Sequence, residues 1–207
     1  MDKIKEYIKE LFKDDYSGHD YFHSIRVYNN ALLISKNIDC DIRLVSVASL
    51  LHDVDDVKLF KSVNYENARK ILTNLNYDEE FIEKVINIIK DVSFKGKDSV
   101  IPDTIEGKIV QDADRLDAIG AIGIARTFAF GGNHNRVIYD PEIEPSLNMN
   151  EKEYRSINNP TINHFYEKLL LLKDMMNLDV SKEIASHRHK FMEDYLNEFY
   201  DEWNGKK

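Results

Sequence analysis

A chain of 207 residues is long enough to bury a substantial core without disulfides or a structural metal, as one large domain or two very small ones. Its composition, 43% hydrophobic and 31% charged, is that of an ordinary globular protein, and no apolar run approaches the roughly 18 residues of a membrane span. A net charge of −9 argues against long nucleic acids as ligands, since neutralising a phosphate backbone needs a basic surface, yet leaves room for a small phosphorylated molecule held by a few local cations.

The single cysteine, Cys40, allows no intramolecular disulfide. The opening residues Met1 to Glu6 alternate in charge and carry no secretory stretch. A cytoplasmic protein that does not engage membranes is expected, either monomeric or homodimeric.

Taken in chain order, the apolar residues recur at helical period. Ile4, Tyr7, Ile8, Leu11 and Phe12 make one stripe, predicting a helix over about 2–12. A second helix is predicted from about Asp20, with Phe22, Ile25, Tyr28 and Leu32 along one side. Asp41 is placed to cap a third, whose interior from Leu44 to Leu51 is apolar nearly all round, as suits a central helix. Asn64 and Asp78 are candidate caps for helices near 65–75 and 79–91. Pro102-Asp103 opens a further helix or broken pair reaching Phe130, closed by Gly131-Gly132.

The stretch 131–159 is rich in turn signals and reads as an irregular loop or lid. Asn159-Pro160 then predicts a helix to about Met176, and Ser181 caps a last one ending near Trp203, with Gly205 just beyond. No segment alternates at period two. The prediction is all-α, a single compact helical bundle over 1–207 in which the helices of 160–204 pack on the core as a C-terminal cap.

Two His-Asp pairs occur, His19-Asp20 and His52-Asp53. Only the second ends the most apolar helix, running directly into Val54-Asp55-Asp56. Two ionisable groups arriving deep in a core need a partner, because an unpaired buried charge costs several kcal/mol. A bound cation is one such partner, and it would need further ligands from other helices. His23 is the candidate from the second helix, and Asp112, Asp114 and Asp117 are those from the helix running through Gly107 to Asp117. Asp114 and Asp117 share one face with Ala118 and Ala121, small residues that leave a gap. Imidazole with carboxylate suits a first-row divalent ion.

These residues resemble a known family. The order His23, His52-Asp53, Asp114 matches the signature of the HD-domain metal-dependent phosphohydrolase superfamily, and the closer likeness is to its small stand-alone bacterial members. It rests on His19-Asp20-Tyr21-Phe22-His23-Ser24-Ile25-Arg26-Val27, on Leu50-Leu51-His52-Asp53-Val54-Asp55-Asp56, and on Gln111-Asp112-Ala113-Asp114-Arg115-Leu116-Asp117 with the small residues after it. It continues through His164-Phe165-Tyr166-Glu167-Lys168 to Trp203. The resemblance implies an HD-type helical fold with His23, His52, Asp53 and Asp114 as metal ligands. Asp117 would stand behind them or face substrate. Some relatives carry a histidine just before the Ser-Phe pair that is here Ser93-Phe94; this chain has Val92.

Between Asp53 and Asp114 there is no histidine at all. HD proteins with two metals, di-iron oxygenases among them, add histidines there, so one divalent ion (Mn, Mg, Ni, Fe or Co) is expected. Asp53 or Asp117 would act as general base, and Arg26 and His19 would contact substrate from the face that carries His23. Arg115, Lys95, Lys168 and Arg126 are looser cationic candidates. His164 belongs to the resemblance and is placed to cap the cleft; His134, His187 and His189 read as surface or packing. The expected activity is hydrolysis of a small phosphate ester, a nucleotide or related metabolite, by metal-activated water. A non-catalytic ligand-binding module and a di-iron oxygenase are the rival readings.

Overall fold

The structure is a computed structural model that describes residues 1–13, 20–56, 60 and 62–207. Among them the chain is helical, without strands. Helix α1 (Asp2–Leu11) buries Ile4 and Ile8 on the expected stripe. Helix α2 (Tyr21–Ser35) starts where the Asp20 carboxylate accepts the backbone N–H of His23, at 2.8 Å. Helix α3 (Ile42–Leu51) is capped by Asp41 through the Leu44 N–H and is buried from Leu44 to Leu51. Helices α4 (Glu66–Asn74) and α5 (Glu79–Ile89) follow, the latter capped by Asp78.

The broken pair is α6 (Ile105–Asp117) and α7 (Gly120–Asn133). The break falls at Ala118-Ile119, and Gly120 resumes the chain at φ +76°. A Cβ at Gly120 would stand 3.0 Å from the Arg188 side chain, so both backbone and space ask for glycine. Then come α8 (Glu151–Ser156), α9 (Asn163–Glu167), a 3₁₀ segment (Leu169–Met175) and α10 (Asp179–Trp203). Helices α2, α3 and α6 pack against one another, α5 covers α3, and α10 lies across α6 and α7. The start of α2 thereby meets the ends of α3 and α6. No helix of the described residues is long and apolar enough to cross a membrane.

At two helix starts where sequence and structure differ, a carboxylate from elsewhere in the fold holds the backbone. Asn64 does not cap α4: Asn64 and Tyr65 both take positive φ, and Tyr65, at the N-cap position, makes no side-chain cap. The Asp55 carboxylate instead accepts the N–H groups of Asn67 (3.0 Å) and Ala68 (2.9 Å). Ser181 lies inside α10; the chain entering that helix is held by buried Asp112, which accepts from Asn177 N (2.8 Å) and Leu178 N (3.0 Å). The helix predicted from Pro160 to Met176 is interrupted at Lys168, where φ is −143°, and its start is delayed to Asn163. Before that start, the N–H groups of Thr161 and Ile162 bond the carbonyls of Val137 and Ile138, and Asn159 donates to Glu167. Gly131 and Gly132 fall within α7 rather than after it.

Asp112 is therefore a structural anion. Asp112→Ala would leave the part-buried Asn177 and Leu178 N–H groups without their acceptor, and should cost about 3 kcal/mol of unfolding free energy. Denaturant unfolding checks this, with metal content unchanged; a loss below about 1 kcal/mol, or loss of metal, contradicts it.

Candidate metal centre

Four side chains meet where α2 begins and α3 and α6 end. His23 is wholly buried, and its Nε2 lies 3.1 Å from His52 Nε2, 3.1 Å from Asp53 Oδ2 and 3.5 Å from Asp114 Oδ1. His52 Nε2 lies 3.4 Å from Asp53 Oδ1 and 3.6 Å from Asp114 Oδ1. One donor atom each from His23, His52 and Asp114 fits within 4.8 Å.

The tautomers follow from the partners of the other ring nitrogens. His52 Nδ1 faces the Ser49 carbonyl at 2.9 Å, an acceptor only, so Nδ1 carries the proton. His23 Nδ1 faces Asp117 Oδ2 at 2.7 Å, and that carboxylate also receives two arginines, so here too Nδ1 is the donor. With Nδ1 of each ring turned to its acceptor, both Nε2 atoms face one point, and two carboxylates add their oxygens. Such a donor set is self-repelling until a cation or a proton joins it. It fits a divalent ion in type and in number.

Electrostatics tell the same story with protons alone. Burial disfavours a charged His52, yet the Asp53 and Asp114 carboxylates outweigh it and raise its pKa from 6.5 to about 9. Burial likewise opposes ionisation of Asp117, but hydrogen bonds from His23 and Arg26 hold its carboxyl far below the usual range.

The cluster opens into a cleft. Asp53, Asp56 and Asp114 form its acidic floor, while Arg126, Arg136 and Lys168 contribute cations to its walls. The ring of Phe94 meets Tyr154 edge-on at 5.1 Å, Tyr154 stacks near His164 at 6.3 Å, and Lys168 Nζ lies 5.3 Å over Phe94. The structure brings His23, His52, Asp53, Asp114 and Asp117 together. Arg26 is at the cluster too, but its guanidinium is spent on Asp117 and it does not line the cleft. His19 lies outside the described residues. Arg115 turns to the Met175 carbonyl, away from the cleft.

Arg126 and Lys168, only loose candidates from sequence, line the cleft, and Arg136 and Tyr154 were not anticipated. One signal was available: Gly120, Gly123, Thr127 and Gly131 repeat at three- and four-residue spacing, marking the small-residue face of α7. Gly123, Thr127 and Gly131 line the cleft, and Arg126 and Phe130 flank them.

Comparison with known proteins decides the family. The HD domain family model matches residues 20–119, a span that contains all four clustered residues. The uncharacterized protein YpgQ of Bacillus subtilis is 40% identical over 195 residues, 92% of this chain and 87% of YpgQ. This chain belongs to the HD family. The crystal structure of YpgQ in complex with ADP is similar at TM-score 0.77 and 36% identity, covering 97% of this chain and 96% of that one. An HD-superfamily hydrolase from Bacillus thuringiensis aligns at TM-score 0.73 and 41% identity, over 98% and 96% of the two chains. A Lactobacillus plantarum protein aligns at TM-score 0.89 and 36% identity, over 98% and 95%. The all-helical HD fold is thus common ground with an HD-superfamily hydrolase.

A pH dependence follows for the HD centre without metal. A group whose pKa rises on folding stabilises the fold fully below its unfolded value, here 6.5, and loses that contribution as pH passes its folded value of about 9. Metal-stripped protein should show a falling Tm between those limits, and His52→Asn should flatten the slope. A wild-type Tm that stays level across the window, or a slope unchanged in His52→Asn, contradicts this.

Proposed function

We propose that this HD protein is a mononuclear metal-dependent phosphohydrolase acting on a small phosphorylated metabolite, with a nucleotide as the favoured class. The observation that carries the reading is one cleft with a His/Asp cluster on its floor and cations on its walls. Under this reading His23, His52, Asp53 and Asp114 hold the ion. When bound, a divalent ion supplies a Lewis acid for a phosphoryl oxygen and acidifies water.

The rest is the work of this chain's own groups. Arg126 and Lys168 take the non-bridging phosphoryl oxygens, where negative charge gathers during transfer. Asp53 lines the cleft and accepts the proton of the attacking water at a carboxylate oxygen. Asp117, the other carboxylate proposed as base, has its oxygens engaged by His23, Arg26 and Arg126, and it does not line the cleft. The Phe94 and Tyr154 rings, set edge-on to each other, offer apolar surface beside the cations, which suits a base attached to the phosphate. The ADP bound by YpgQ supports a nucleotide as well. The absence of histidine from 54–113 supports a single ion.

Metal-stripped protein reloaded separately with Mn, Mg, Ni, Fe or Co and offered nucleotides and sugar phosphates should release phosphate or pyrophosphate. Elemental analysis should give one equivalent of metal, and Asp114→Ala should lose most of it while staying helical. Lys168→Gln should keep the metal and lower kcat/KM by about tenfold to a hundredfold. Two retained equivalents would overturn the mononuclear reading. Turnover of polynucleotides with none of any small phosphate ester would overturn the substrate class.

A further inference from the structure

The fold commits two arginines to one buried carboxylate. Asp117 is 2% exposed, one helical turn past Asp114 on α6. Its Oδ1 accepts Arg26 Nε at 2.7 Å. Its Oδ2 accepts His23 Nδ1 at 2.7 Å, Arg126 Nη1 at 2.8 Å and Arg26 Nη2 at 3.1 Å. Arg126 Nη1 also reaches the Asp117 carbonyl at 3.3 Å. The donors come from two helices, His23 and Arg26 from α2 and Arg126 from α7. Charge balance alone needs one guanidinium, so the second has to be explained.

The explanation lies in what the carboxylate does to His23. A carboxylate on Nδ1–H fixes the ring's tautomer and orientation and aims Nε2 into the cluster. Left alone in a buried site, that carboxylate would be costly to keep ionised and free to turn away from the ring. Two guanidiniums share its oxygens, hold it ionised and fix its orientation against His23. Arg26 stands three residues after His23 on the same face of α2, so one helix carries both the ligand and the cation that keeps its support in place.

We propose that Arg26 and Asp117 are positioning residues that act on the metal through His23, with Arg26 making no contact with the substrate phosphate. Arg126 differs, because it joins this clamp and lines the cleft as well. The inference rests on reading the His/Asp cluster as a metal centre.

The test uses Co(II) alone as the metal probe and inorganic phosphate as the anion probe, so no turnover is needed. Arg26→Gln should weaken Co(II) binding by about tenfold and change the visible spectrum of the bound ion. Phosphate affinity of the cobalt-saturated variant should stay within about twofold of wild type, since direct loss of a charge-assisted hydrogen bond would cost more. Arg26→Lys should restore part of the Co(II) affinity, and it carries the test if Arg26→Gln fails to fold. Arg126→Gln should weaken both the metal and the phosphate. An unchanged cobalt spectrum and affinity in Arg26→Gln, or phosphate binding lost with the metal site intact, overturns the proposal. Wild-type protein that takes up no Co(II) overturns the metal centre itself and with it the clamp, a result distinct from failure of the clamp alone.

Discussion

Two imidazole Nε2 atoms held 3.1 Å apart beside two carboxylates, an arrangement that needs a proton or a cation between its donors, are the constraint on which this structure turns. Nothing in helix packing favours that approach. It is imposed because α2, α3 and α6 pack mutually and bury Val27, Ala31, Val47, Leu50, Val110 and Ala113 completely. That apolar interface delivers His23 and His52 to the same point from different helices. Asp53 and Asp114 arrive with them, and the site then demands positive charge. The hydrophobic core supplies the free energy that holds repelling donors together; a cation turns the repulsion into binding.

The acidic residues of the two motif stretches divide their labour by position. In His52-Asp53-Val54-Asp55, Asp53 faces the cluster and Asp55 caps α4 across the fold. In Asp112-Ala113-Asp114, Asp112 holds the chain entering α10 while Asp114 faces the cluster. Reading the residues alone left Asp112, Asp114 and Asp117 open beside His23 and His52-Asp53, and the family resemblance singled out the four that the structure clusters. Neither separated Asp112 as structural, because the groups it serves, at Asn177 and Leu178, lie more than sixty residues away.

The same limit governs the rest of the fold. Helices α1, α2, α3 and α5 were legible because apolar period and local caps at Asp41 and Asp78 agree. The start of α4 and the region 159–176 were not, because distant carboxylates and backbone groups set them. At the cleft, the cationic wall depends on the break at Lys168 and on the register of α7, neither of which a residue spacing states. The overall charge of −9 pointed away from long polyanions while leaving room for a small phosphate held by local cations, and the structure gathers such cations in one place. Arg126, Arg136 and Lys168 face the same cleft as Asp53, Asp56 and Asp114.

The central claim is that the donors of His23, His52, Asp53 and Asp114 share one cation. An anomalous difference map from a manganese-soaked crystal tests it most directly. The account predicts a single strong peak within about 2.0–2.3 Å of both Nε2 atoms and of an oxygen from each carboxylate. A peak held by Asp117 in place of Asp114, two peaks of equal height in the cleft, or no peak between the two imidazoles would contradict it.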